Sequence, residues 1–268
     1  MKSFAFDYEK PATIAEALAL LGEAGDDAKV LAGGQSLGPM LNMRLVRTRR
    51  LIDITGIPDL HQITDDGNAI VFGACVTHAA IEDGRIPDPT GGMMPNVAAG
   101  IAYRAVRNRG TIGGSLVHAD PAADWITTLA AIGAEVTVTG IDGQRRIAVD
   151  KLMVSTFETS LVAGELLVSI RVPKLSSDAK WGFYKFCRKT GEFAEAMSAV
   201  IVDLARGDIR VVIGATDTRP VVIADAATLI SKPESIATVI EENGLANDAY
   251  DAQVRRVSLW RAIEQVMP

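Results

Sequence analysis

Two glycine-rich segments limit the folds open to this chain more than any other feature of its sequence. Residues 33–36 read Gly-Gly-Gln-Ser, and residues 109–115 read Arg-Gly-Thr-Ile-Gly-Gly-Ser. The first segment lies between a predicted strand at residues 28–32 and a short helix that ends near residue 44. Such a loop lets successive backbone N–H groups turn inward without a Cβ in the way, which forms a nest for anionic oxygens. Two such loops in one chain predict a ligand that contains phosphate.

The common nucleotide-binding motifs fit neither segment. Neither has the Gly-x-Gly-x-x-Gly pattern of Rossmann dinucleotide sites or the Gly-x-x-x-x-Gly-Lys-Ser/Thr pattern of P-loops. No lysine stands where a nucleoside triphosphate would need one. The sequence therefore disfavours a Rossmann NAD site and an ATPase.

Strand, helix and turn signals divide the chain into three units of α+β structure. The first unit, residues 1–56, contains the first glycine segment, and the second unit, residues 57–175, contains the second one. A polar linker at residues 174–178 leads into the third unit, residues 179–268. In this unit three antiparallel strands precede three helices, which we expect to cover one face of the sheet.

Capping and turn residues predict several element boundaries. Thr13 and Glu16 have the spacing of a capping box at the start of a helix. Residues 65–68, Asp-Asp-Gly-Asn, predict the turn of a hairpin. Asp120 and Pro121 predict the start of the helix that follows the second glycine segment, with Asp120 as its N-cap.

Composition and charge exclude several classes of protein. The formal net charge is −6 and the chain has no run of five or more basic residues, so it lacks the basic surface of a nucleic-acid-binding protein. It has no apolar stretch of about 18 residues and no signal-peptide pattern, so we expect a cytoplasmic protein without a membrane span. Cys75 and Cys187 match no Cys-x-x-Cys pattern, which excludes an iron-sulfur cluster or zinc site within this chain. We expect both to be small, buried side chains.

The two glycine segments resemble the FAD signatures of one known family. Residues 31–37 (Leu-Ala-Gly-Gly-Gln-Ser-Leu) and residues 107–116 (Arg-Asn-Arg-Gly-Thr-Ile-Gly-Gly-Ser-Leu) are similar to those of molybdenum-hydroxylase medium subunits. The family includes carbon monoxide dehydrogenase medium subunits and the flavin domain of xanthine dehydrogenase. The resemblance implies a vanillyl-alcohol-oxidase-type (PCMH-type) FAD-binding fold of two α+β subdomains. A C-terminal α+β domain with an antiparallel sheet would follow, so the resemblance covers nearly the whole chain.

The resemblance also implies which residues contact FAD. Residues 31–37 and 111–115 would cradle the pyrophosphate, Asp124 would accept a hydrogen bond from a ribose or adenine-side group, and Ala102 would line the adenosine. Lys185 would place a positive charge where the reduced flavin becomes anionic. Phe193 would shield one face of the isoalloxazine, which Leu161 would also border. The complete predicted set is Leu31, Ala32, Gly33, Gly34, Gln35, Ser36, Leu37, Ala102, Thr111, Ile112, Gly113, Gly114, Ser115, His118, Asp120, Asp124, Leu161, Lys185 and Phe193.

Some of these side chains have two interpretations. His118 follows the second glycine segment and could contact the cofactor or only pack in the core. Asp120 could contact the cofactor, be only a helix N-cap, or do both. The arginines at residues 44–50 and 104–109 form either a solvated face or a docking surface for a partner subunit.

The implied function is electron transfer, with no catalytic side chain and no metal ligand in this chain. A large partner subunit would carry a molybdopterin-type molybdenum cofactor and hydroxylate the substrate. A small partner subunit with two [2Fe-2S] clusters would pass electrons through FAD to an external acceptor. The implied assembly is a heterotrimer or a dimer of heterotrimers. Two alternatives are a self-sufficient flavin oxidase or dehydrogenase of the same fold and a non-catalytic nucleotide-binding scaffold.

Overall fold

The computed structural model describes residues 2–267, so the outermost residues of the first and third predicted units, Met1 and Pro268, lie outside the described residues. The strands are β1 (Asp7–Glu9), β2 (Ala28–Leu31), β3 (Arg50–Asp53), β4 (Ile63–Asp65), β5 (Ala69–Gly73), β6 (Glu135–Gly140), β7 (Gly143–Ala148), β8 (Met153–Ser155), β9 (Glu158–Thr159), β10 (Leu166–Pro173), β11 (Lys180–Phe186), β12 (Ala196–Asp203), β13 (Asp208–Gly214) and β14 (Val221–Val222). The α-helices are α1 (Ile14–Ala24), α2 (Leu37–Asn42), α3 (His78–Glu82), α4 (Met93–Ala99), α5 (Arg104–Arg107), α6 (Ile112–His118), α7 (Asp124–Ile132), α8 (Val149–Leu152), α9 (Ala226–Ser231), α10 (Ile236–Glu242) and α11 (Ala249–Glu264).

The N-terminal strands form a three-stranded parallel sheet in the order β1-β3-β2. Helix α1 covers the sheet because Ala17 is fully buried and Leu18 packs against the same core. The predicted capping box closes with a small difference: the Thr13 hydroxyl accepts from Glu16 N at 3.2 Å, but the Glu16 carboxylate accepts from Ala12 N. Strand β2 ends at the first glycine segment, so this sheet fixes where that segment begins.

A five-stranded antiparallel sheet in the order β4-β5-β10-β6-β7 follows. The predicted turn at residues 65–68 joins β4 to β5, as the hairpin signal indicated. Every residue of α7 is buried, and Trp125 is among the largest fully buried side chains of the core. Helix α6, which carries the second glycine pair, packs against α7 and β10.

The C-terminal strands form a four-stranded antiparallel sheet in the order β11-β12-β13-β14. Helix α11 packs on β11 and β12, so a helix covers one face as predicted, and α7 packs against β12 and β13. Trp181 and Phe183 of β11 pack against the core that contains α7, whereas Tyr184 packs against the core beneath α11. None of the helices between residues 2 and 267 combines the length and apolar content needed to cross a bilayer.

Three local predictions were wrong. The helix after α6 begins at Asp124 rather than at Asp120, because the Asp120 carboxylate instead accepts from Ala122 N at 2.9 Å and closes a tight turn. The second glycine pair lies inside α6 and not in a loop, because Thr111 is the N-cap. Cys187 is only half-buried, since β11 ends at the residue before it.

Candidate functional site

The first glycine segment exposes a row of unused backbone donors. Among the described residues, none accepts a hydrogen bond from the N–H groups of residues 33–36. Gly34 has a φ of +71°, in the left-handed region that favours glycine. The Gln35 side chain folds back and donates to the Gly33 carbonyl at 3.0 Å, which fixes the shape of the loop. The segment is therefore an open nest suited to phosphate oxygens.

The second glycine pair has a different role from the one its sequence suggested. Ile112 N donates to Val76 O, Gly113 N to Ala74 O and Gly114 N to the Thr111 hydroxyl, each at 3.0 Å. These three N–H groups are thus already satisfied within the protein. A Cβ on Gly113 would lie 2.7 Å from the Ala74 carbonyl oxygen, so glycine permits α6 to approach the end of β5. Contrary to the prediction, this glycine pair lets α6 pack closely and does not form a second open nest.

The two glycine segments lie against each other. A Cβ on Gly33 would overlap the carbonyl group of Arg109, and one on Gly114 would lie 3.7 Å from Ala32 Cβ. The structure therefore brings residues 31–37 and 111–115, which are distant in sequence, together at one place. This contact places the second segment beside the open nest, although its own N–H groups at residues 112–114 are already paired.

A buried ion pair lies at the start of α7. Lys185 Nζ lies 3.0 Å from both carboxylate oxygens of Asp124, and the side chains are only 9% and 6% exposed. Burial raises the pKa of the Asp124 carboxyl, and the Lys185 ammonium opposes this shift. The resemblance implied that Asp124 serves the adenine side and Lys185 the isoalloxazine. Because the two side chains are in contact, they line one region.

Residues near Gly100 connect the ion pair of Lys185 and Asp124 to two more predicted residues, Ala102 and Phe193. Lys185 Nζ also donates to the Gly100 carbonyl at 3.3 Å. Ala102 has a φ of +43°, and its carbonyl accepts from Arg107 at 3.0 Å, which holds the turn. Ile101 forms a β-bridge with Gly191, so the exposed Phe193 lies two residues from this contact.

The structure places the remaining predicted residues as follows. His118 ends α6, and its ring centroid is 5.1 Å from that of the exposed Phe157. Asp120 follows in the tight turn described above. Leu161 is half-buried and packs against the main core. Ser36, before α2, is exposed.

The sequence did not indicate one buried contact, between His78 and Trp125. His78 Nδ1 accepts from Trp125 Nε1 at 3.0 Å. The neutral ring therefore carries its proton on Nε2. Burial, with the charge of Arg107, lowers the pKa of His78 to about 4. The ring packs against Gly110, and no sequence signal links residues 47 positions apart.

The residues present fit a dinucleotide cofactor with two phosphates. Four adjacent unused N–H groups at residues 33–36 suit anionic oxygens. Lys185 supplies an ammonium group whose charge the Asp124 carboxylate balances, and Phe193 supplies an exposed aromatic surface. Three contacts, between Gly33 and Arg109, Lys185 and Gly100, and Ile101 and Gly191, attach these elements to residues 100–109.

Comparison with known proteins gives a consistent result. Residues 4–175 match the family described as the FAD binding domain in molybdopterin dehydrogenase. The nicotine 6-hydroxylase medium subunit of Paenarthrobacter nicotinovorans is 35% identical over 267 residues, which cover 97% of this chain and 93% of that one. Subunit alpha of the 6-hydroxypseudooxynicotine dehydrogenase complex of the same organism is 41% identical over 204 residues, or 76% of this chain and 69% of that one. A chain of reconstituted CO dehydrogenase from Oligotropha carboxidovorans superposes with a TM-score of 0.91 at 29% identity and covers 99% of both chains.

These similarities confirm the predicted α+β fold of the PCMH type and the predicted FAD cofactor. Which individual residues contact FAD stays a prediction. The similarity extends beyond the FAD-binding domain, because it covers nearly all of this chain in both the relative and the solved structure. The chain therefore belongs to the FAD-binding medium subunits of the molybdenum hydroxylases, a family of oxidoreductases.

Proposed function

We propose that this chain holds FAD and passes electrons from two [2Fe-2S] clusters of a small partner subunit to an external acceptor. A large partner subunit with a molybdopterin-type molybdenum cofactor oxidises the substrate. The open nest at residues 33–36 carries this proposal, because its unused N–H groups are the donors that the phosphates of FAD need. Bound FAD supplies electron exchange in single or paired steps.

The side chains of this subunit bind and position, and none acts as an acid or base. Residues 33–36 donate to phosphate oxygens, and Gly33 keeps the two glycine segments in contact. Lys185 places a positive charge in the wall of the site, where it favours a reduced and anionic ring. Phe193 excludes water from one ring face. The other members of the predicted FAD-contacting set belong to the same proposal.

The assembly is part of the proposal as well. The relatives are named as subunits of complexes or as medium subunits, which supports large and small partners for this chain. We propose a cytoplasmic heterotrimer, or a dimer of heterotrimers. Within this subunit, residues 1–56 and 57–175 form the FAD-binding subdomains and residues 179–268 form the C-terminal domain.

Purification of the tagged chain from its native host tests the proposal. The absorption spectrum and mass spectrometry of the purified material report cofactors and partners together. Flavin and iron-sulfur absorption with two partner chains is the expected result. Flavin on a lone chain that a substrate reduces directly would instead indicate a self-sufficient oxidase. An intact complex without flavin would contradict both and leave a scaffold role.

A glycine variant tests the nest itself. Gly33→Ala forces a Cβ into the Arg109 carbonyl group, whereas a Cβ on Gly38 meets nothing within 4 Å. Overpacking costs about 1–3 kcal/mol, so we expect Gly33→Ala to bind FAD roughly tenfold more weakly, at about 1.4 kcal/mol per factor of ten. Flavin content per subunit is the measurement, and Gly38→Ala is the matched control. Equal flavin content in both variants would contradict the assignment of the nest.

A further inference from the structure

A fixed loop after α2 exposes large apolar side chains. Met43 is 49% exposed and Leu45 is 70% exposed. Phe4, which lies against the same loop, is 38% exposed. Apolar side chains of this size that cluster on a surface mark interaction sites more often than isolated ones do. Together with Arg44 and Arg47, these residues form what we call the Phe4 patch.

Two guanidinium groups flank the Phe4 ring. Arg44 Cζ lies 4.8 Å and Arg47 Cζ 5.0 Å from the ring centroid, within the range of cation–π contacts. Within the described part of the chain, neither guanidinium has a carboxylate oxygen within 4.0 Å. The patch is therefore both apolar and positively charged, although the chain as a whole has a net charge of −6.

Four of the other arginines in the two basic clusters have a carboxylate partner, whereas Arg109, like Arg44 and Arg47, has none within 4.0 Å among the described residues. Arg50 pairs with Glu23 at 3.2 Å, and Arg107 pairs with Glu82 at 2.7 Å. Arg104 also contacts Glu82, at 3.0 Å. These three charges are balanced within the subunit. Arg44 and Arg47 thus leave the positive charge beside the Phe4 ring unbalanced.

The backbone holds the patch in a defined shape. Arg44 has a φ of +60°, a left-handed conformation that is uncommon for this residue type. Its N–H donates to Leu41 O at 3.1 Å, and its Nε donates to Lys2 O at 3.1 Å. Leu45 N donates to Met40 O at 2.9 Å. A surface fixed in this way loses little conformational entropy when a partner covers it.

We propose that the Phe4 patch is a docking surface for a partner subunit of the complex whose contacting face is acidic with an apolar centre. The inference rests on the proposed function, since it requires that the chain works in a complex. Carboxylates of the partner would meet Arg44 and Arg47, and Leu45 would be buried at the centre of the contact. The loop follows α2, whose six residues span roughly 9 Å. The docked partner lies close to the nest that holds the phosphates.

Charge reversal tests this surface in the whole complex. The variant Arg44→Glu/Arg47→Glu is compared with Arg146→Glu/Lys151→Glu, which changes the net charge equally at exposed positions that already have acidic neighbours. The tagged chain is purified from its native host, and the identified large and small partners are quantified relative to it. We expect roughly tenfold less of one partner with the patch variant. The control should match the wild type.

A second variant, and the partner ratios of the wild-type chain, complete the test of the Phe4 patch. Leu45→Ser removes an exposed apolar side chain without adding charge, and we expect the same partner to be lost in part while the circular dichroism spectrum stays unchanged. Wild-type partner ratios in both variants would overturn the docking surface and leave the proposed function intact. Recovery of no partner subunit by the wild type would overturn both proposals.

Discussion

Replacing His78 with glutamine exchanges a titrating side chain for a neutral one at the centre of the molecule. In the folded protein, burial and the charge of Arg107 lower the pKa of His78 to about 4. In the unfolded chain the pKa returns to about 6.5. Between these values the unfolded chain holds a proton on His78 that the folded chain does not. The free energy of unfolding therefore falls as the pH decreases through this window.

The size of the effect follows from the two pKa values. One pH unit is worth about 1.4 kcal/mol per proton, so the depressed pKa of His78 contributes about 3 kcal/mol that is present above about pH 6.5 and lost near pH 4. Protonation would also replace the acceptor lone pair on Nδ1, and the hydrogen bond from Trp125 would be lost. Glu82 and Arg107 also face this region. The effect of His78 is therefore taken as the difference in the free energy of unfolding between the wild type and the His78→Gln variant.

Denaturant titrations from about pH 7 to about pH 4.5 measure the difference. We expect His78→Gln to be less stable than the wild type at neutral pH and to approach it as the pH falls, with a flatter dependence. Trp125→Phe removes the donor and leaves the histidine, so it should be less stable but should keep a steep pH dependence. If the free energy of unfolding changed equally with pH in His78→Gln and in the wild type, the reasoning would be refuted.

Two further predictions concern other buried groups. Lys185→Met leaves the Asp124 carboxylate buried without its partner, so we expect about 3–5 kcal/mol lower stability in denaturant titrations. Adding Asp124→Asn should recover part of this loss, and no recovery would count against the ion pair. Burial raises the pKa of the Cys75 thiol to about 12. At about pH 8 a thiol reagent should therefore label Cys187 in the folded protein and Cys75 only after unfolding, as peptide mass spectrometry would show.

Features that depend on neighbouring residues were predictable from the sequence. The β2 strand, the first glycine segment and α2 follow one another within a residue or two of their predicted limits. The hairpin turn at residues 65–68 was also correct, because turn chemistry is local. In the C-terminal region the order of strands before helices was predicted, but the short fourth strand β14 was not.

Features that depend on the tertiary fold were not predictable. Strand β7 has only one buried residue and lies at a sheet edge, so it has no alternating apolar pattern to detect. The contact between Lys185 and Asp124 joins positions 61 residues apart. The close packing of Gly113 depends on the backbone of Ala74, which no local pattern indicates. The sequence therefore indicated the candidate segments, and only the structure shows how they contact one another.

The burial of α7 limits how this subunit can be divided or can move. The helix packs against the sheet strand β10 and also against β12 and β13, and its core includes Ile201 and Val212 from the C-terminal strands. A fragment that ends at residue 175 would expose that apolar surface, and we expect such a fragment to aggregate. Rotation of the C-terminal part as a rigid body would break the same contacts. We therefore expect the C-terminal strands to stay packed against α7 when FAD binds or leaves.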